Sequence, residues 1–135
     1  MKFIPYDYQK YCIEYIKTHS IAALFLTMGL GKTVITLTAI CELIEQKKVS
    51  RVLVIAPLRV ARDTWPAEVA KWDHLKGLDI SVIVGTEKKR IEAVERDAMI
   101  YVINRENVKS LVRYYEKNHQ PWPFDMVVDS LFTPW

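Results

Sequence analysis

Apolar residues in this chain keep two rhythms that take turns. Residues 21–26 form an unbroken apolar run, the pattern of a strand buried on both faces. Over 32–46 the apolar positions are Val34, Leu37, Ile40, Cys41 and Ile44, which is helical spacing. The alternation then repeats. Residues 51–56 predict a second strand, ended by Pro57. Pro66 suits the first turn of a helix and would break an interior, so 58–72 predict a short helical turn followed by a helix over 66–72. Trp65, Val69 and Trp72 fall at helical spacing and are expected in the core. A third strand spans 80–84, and Gly85-Thr86 turns into a charged helix over 87–96 with only Ile91 and Val94 as an apolar face. A fourth strand covers 99–103. The polar run Asn104-Arg105-Glu106-Asn107 is placed to cap a helix over 107–118 that buries Val108, Leu111, Val112 and Tyr115. After a rigid loop at 120–124, residues 125–128 begin a fifth strand. Upstream of all this, 7–18 predict a helix capped by Asp7, with Tyr8, Tyr11, Cys12, Tyr15 and Ile16 as its stripe.

Strands alternating with helices at this spacing imply a mostly parallel sheet covered on both faces, a three-layer α/β sandwich of about five strands. The crossovers of such a sheet are right-handed. There is no internal repeat, linker or low-complexity segment, and 135 residues fit one domain. Half the residues are hydrophobic and 26% are charged, which excludes a disordered chain. A net charge of +3 permits nucleic-acid contact without arguing for it. Cys12 and Cys41 both fall on apolar helix faces and have no metal-type spacing, as expected of buried thiols in a reducing compartment. The first residues lack a signal-peptide apolar region, and no apolar run approaches membrane-spanning length. A cytoplasmic location, with no membrane partner, is the expectation.

Chemistry concentrates where the first strand meets its helix, at Thr27-Met28-Gly29-Leu30-Gly31-Lys32-Thr33. Gly29 and Gly31 have no Cβ, so the backbone can come close to a polyphosphate. Loop N–H groups and a helix N-terminus together make an anion site. In such a P-loop Met28, Gly29, Leu30 and Gly31 wrap the phosphates, Lys32 reaches the β- and γ-phosphates, and the Thr33 hydroxyl ligates Mg²⁺. The usual fingerprint, G-x-x-x-x-G-K-S/T, has glycine at its first position, where Leu26 stands here. An ordinary strand-to-helix turn with a surface lysine is the plain alternative, and the flanking strand and helix patterns argue against it. The expected ligands are ATP and Mg²⁺ in a P-loop NTPase fold. Gln9, one helix ahead of the loop, carries an amide able to read the edge of adenine, or is simply solvated. Arg59 and Arg62 follow the carboxyl end of a strand, where open α/β sheets hold their ligands, so they are phosphate-contact candidates or solvated arginines.

The order of these motifs resembles the first, RecA-like motor lobe of superfamily 2 helicases, and within them the Swi/Snf-type DNA translocases, including phage and bacterial members. Pro5-Tyr6-Asp7-Tyr8-Gln9 resembles the Q motif, whose glutamine reads adenine. Met28 to Thr33 matches the family's P-loop core. Pro57 with Trp65 and Glu68 resembles motif Ia and its Trp-x-x-Glu, and Tyr101 to Glu106 resembles motif Ib. The resemblance covers about residues 4–128. It implies a DNA-dependent ATPase lobe in which Arg59, Arg62 and Arg105 are the basic residues expected on DNA phosphates, with a second motor lobe as partner.

The chain also departs from that pattern. Thr27 replaces the usual acidic residue before Met28. The family's fifth strand ends in Asp-Glu, the aspartate on Mg²⁺ and the glutamate on the attacking water. Here Asp129 is followed by Ser130, and Asp129 comes earlier than the family's strand length implies. Residues 130–135 match nothing in the family and are expected to be an aberrant or disordered tail. No catalytic residue is assigned. The expectation is therefore an incomplete ATP-binding lobe, 1–135, not catalytically competent by itself. The alternatives are a non-catalytic nucleotide-binding module or decoy partner of a full motor, or a truncated product without function.

Overall fold

The computed structural model describes residues 2–4 and 32–129. The predicted helix over 7–18, the strand over 21–26, Gln9, the loop Met28-Gly29-Leu30-Gly31 and the tail 130–135 lie outside the described residues. Within them the order is α1 (Lys32–Glu45), β1 (Val52–Ala56), a π-helical turn (Val60–Thr64) running into α2 (Trp65–Lys71), β2 (Ile80–Ile83), α3 (Glu87–Glu95), β3 (Ile100–Asn104), α4 (Val108–Lys117) and β4 (Met126–Asp129). Short 3₁₀ turns, Asp73–Leu75 and Arg105–Asn107, lead into β2 and α4. Each of the strands and α-helices falls within two residues of where the hydrophobic pattern put it, and the turn Asp73–Leu75 was not foreseen.

Four described strands form one parallel sheet in the order β2-β3-β1-β4. Val52 pairs with Ile100 on one side and with Met126 on the other. Alternation along the strands divides the core in two. Val52, Val54, Ala56, Ile100 and Val102 face α1 and α2, meeting Val34, Leu37, Ile40, Trp65 and Val69. Leu53, Ile83, Tyr101 and Ile103 face α3 and α4, meeting Leu111, Tyr115 and Phe124. Strands whose alternate side chains are both buried explain the continuous apolar runs in the sequence.

Several local features differ from expectation. Val112 is 37% exposed rather than buried, because Leu111 and Tyr115, four apart, already meet the sheet and Val112 points about 100° away. Trp72 is half-buried, with its indole N–H donated to Glu68 Oε2 at 2.5 Å and its ring edge-on to Phe3. The turn before α2 is π-helical: the Trp65 N–H bonds the Val60 carbonyl, five residues back. Pro66 supplies the cause. It lacks an N–H, and in a regular α-turn its ring would collide with the carbonyl of Arg62, so the turn widens. At the amino edge of the sheet, Asp125 clasps β4 to β1. Its carboxylate accepts from the N–H groups of Ser50 (2.9 Å) and Arg51 (3.1 Å) and from the Ser50 hydroxyl (3.2 Å). On the same edge the Tyr101 hydroxyl accepts from Arg51 Nη1 at 2.6 Å and from the Ala98 N–H at 3.0 Å.

Candidate functional site

The start of α1 is placed by its end. Glu45 lies six residues before Arg51 and the amino end of β1, and α1 packs along β1 through Val34, Leu37 and Ile40. The helix therefore runs antiparallel to the strands, and its N-terminus stands at their carboxyl edge. Lys32 and Thr33 are its first two residues. Thr33 is buried, at 5% exposure. The first-turn N–H groups of a helix have no partner within the helix, and helix N-termini favour anions.

The same edge collects the ends of β1, β3 and β4. Ala56 is opposite Asn104, and Ile55 is opposite Asp129. Of the residues predicted for the site, the described ones Lys32, Thr33, Arg59, Arg62, Arg105 and Asp129 thus all belong to segments that start or stop at this edge. For Lys32 and Asp129 it is the backbone position that is established. Among the described residues no cluster of His, Cys, Asp and Glu has the makings of a metal site. The backbone of Thr33 and that of Asp129 both lie at this carboxyl edge.

The arginines differ in state. Arg62 is clamped by its neighbour, Nε to Asp63 Oδ1 at 2.9 Å and Nη2 to Oδ2 at 3.0 Å. That hydrogen bond holds the Asp63 carboxyl below its ordinary range. Arg62 must exchange this partner to meet a phosphate. Arg59, in the helical turn after β1, and Arg105, in the 3₁₀ turn after β3, are exposed.

The sequence pattern understated the turn after β3. Asn104 is buried, at 6% exposure, and its amide is used twice. Its Nδ2 donates to Glu106 Oε2 at 2.8 Å, and its Oδ1 accepts from Asn107 Nδ2 at 2.7 Å. The Glu106 carboxyl is held low, first by its own backbone N–H and then by Asn104. Asn107 spends its side chain on Asn104 and does not cap α4, contrary to the expected role. The three residues lock the turn that presents Arg105. The signal in the sequence was the density of amide and acid groups directly after a buried strand.

The sequence pattern of the SNF2-related domain matches residues 8–131. The chain belongs to that family. Protein p41 of Acyrthosiphon pisum secondary endosymbiont phage 1 is 35% identical over 128 residues, covering 93% of this chain and 27% of its own length. The chain thus spans just over a quarter of that relative. Among solved structures, the Sulfolobus solfataricus SWI2/SNF2 ATPase core in complex with dsDNA superposes with a TM-score of 0.75 at 21% identity, over 96% of this chain and 26% of that one. At that identity the likeness establishes the fold: the parallel sheet and its helices are the first, RecA-like lobe of the SNF2 core. No helix among the described residues is long and apolar enough to cross a membrane.

Proposed function

We propose that this SNF2-related chain binds ATP with Mg²⁺ at the carboxyl edge of its sheet, as the nucleotide-holding lobe of a DNA translocase. The observation that carries the proposal is the position of Lys32 and Thr33 at the N-terminus of α1, on the edge shared with Asn104 and Asp129. In this role the loop Met28 to Gly31 and Lys32 hold the phosphates, Thr33 and Asp129 take the metal, and Gln9 meets the adenine. Mg²⁺ supplies charge neutralisation between the phosphates. DNA is the expected partner of the whole motor, with Arg59, Arg105 and, once freed from Asp63, Arg62 on its phosphates.

Hydrolysis by these 135 residues is proposed to be slow or nil. Ser130 follows Asp129 where the family's pattern has glutamate. Losing a positioned general base costs about two to four orders of magnitude in rate. The decisive measurement is titration calorimetry with ATP–Mg²⁺. Binding is expected, and Lys32→Ala should remove it. No heat with the parent chain would sink the proposal. Turnover stimulated by duplex DNA in the isolated chain would overturn the claim of incompetence while leaving nucleotide binding intact.

A further inference from the structure

Helices α3 and α4 do not close over the sheet. They leave a cavity of about 590 Å³, open to solvent, on the face opposite α1. Its lining is apolar at the base, through Ile91, Val94, Leu111 and Tyr114. Around that base the lining is polar, through Asn107, Ser110, Arg113 and Lys117. The α4 wall has a charge pattern of its own. Lys109, Arg113 and Lys117 recur every four residues, so they stand on one side of the helix at about 6 Å steps. All three are exposed, and none has a carboxylate partner among the described residues. Arg113 and Lys117 line the cavity directly. The facing α3 wall has mixed sign, with Glu87, Glu95 and an Arg90 already donating to the Gly85 carbonyl at 2.7 Å.

We propose that this groove docks an amphipathic helical segment of a partner protein, apolar on the face that enters and acidic along the flank that lies against α4. Charge complementarity selects the occupant. The three unpartnered cations lie on one wall only, and the apolar base calls for side-chain anchors that a nucleic-acid backbone does not carry. The groove also touches the site already described. Asn107 lines one end, and its amide is bonded to Asn104 in the turn that holds Arg105. A docked segment therefore lies against the element that presents Arg105, while leaving α1 and its N-terminus uncovered on the other face.

The test uses the whole chain and a fluorescein-labelled synthetic helix of about 15 residues, the shortest that is helical in water. The probe carries Leu on one stripe and Glu along one flank. Saturable binding in the micromolar range is expected, unaffected by ATP–Mg²⁺. The double variant Arg113→Glu with Lys117→Glu, both surface positions, should bind it at least about tenfold more weakly and prefer a probe with Lys in place of Glu. Ser110→Trp, which fills the groove from an exposed position on its lining, should abolish binding with the charges intact. Thermal melts confirm that the variants are folded; should Ser110→Trp be unfolded, the charge exchange carries the test. Equal binding of the Glu probe by parent and double variant would overturn the proposal. So would equal binding of a probe with Ser for Leu, absence of binding by the parent, or displacement of the probe by duplex DNA with loss of DNA binding in the double variant.

Discussion

Trp65 shows how much a single side chain can hide. It is 1% exposed in the core beneath α1, yet its indole N–H has no hydrogen-bond partner among the described residues. An orphaned donor of this kind costs about 1–3 kcal/mol. Trp65→Phe removes the orphan and some buried area at once, two effects of similar size and opposite sign. The variant should lose less than about 1 kcal/mol in urea unfolding, whereas Trp65→Ala should lose about 3–5 kcal/mol. A loss above 2 kcal/mol for the phenylalanine variant would mean that packing, not the orphan, dominates there. Cys41 is the opposite case, since its environment keeps it quiet. Burial, and then the charge of Glu45, push its thiol up to about 11. Neither property shows in the sequence, where both residues are simply apolar positions at helical spacing. The Arg51 contacts were equally hidden, because its partners Asp97 and Tyr101 lie 46 and 50 residues away.

Element boundaries were more legible, and for a definite reason. A strand buried on both faces is mostly apolar, so β1 and β3 announce themselves as runs, and Pro57 and Gly85 mark where the chain leaves a strand. Where a helix lies across a sheet, the pattern says less. It could not tell that α4 rests on Leu111 and Tyr115 and leaves Val112 outside, or that the polar turn before it is tied inward by Asn104. Helix ends hold a further surprise. Lys47, just past α1, adopts φ 58°, a left-handed conformation in which a side chain is strained. Its N–H bonds the Ile44 carbonyl, and that of Lys48 reaches back to Leu43, which is how a helix end is commonly closed around glycine. Lys47→Gly should therefore stabilise the chain by up to about 1 kcal/mol. An unchanged or lower midpoint in thermal melting would show that the lysine stem makes compensating contacts.

For the molecule as a whole, the sheet keeps two helix layers apart: α1 and α2 on one side, the groove of α3 and α4 on the other. β4 packs Met126 and Val128 into the core on the α1 side, and Asp125 is what ties that strand to β1. Burial alone would raise its carboxyl, but the N–H groups of Ser50 and Arg51 outweigh that and hold it below the ordinary 3.8. A depressed value in the folded state gives stability that is complete above the unfolded value and is lost as pH falls through the folded one. The parent chain should lose stability as pH drops below about 4. Asp125→Asn should be weaker at neutral pH and flatter on the acid side. Midpoints measured from pH 3 to 7 would decide it, and parallel curves for the two proteins would contradict the assignment.

That clasp also fixes an order of events. β2 and β3 pair across twenty residues, through Ile80 and Ile100, whereas Asp125 reaches Arg51 across 74. The longer span carries about 1.2 kcal/mol more loop-closure entropy, so among the described strands β4 is expected to arrive last and to add little to the folding nucleus. Removing its clasp should then quicken unfolding and leave refolding almost unchanged, with the carboxyl edge completed only after the rest of the sheet has formed.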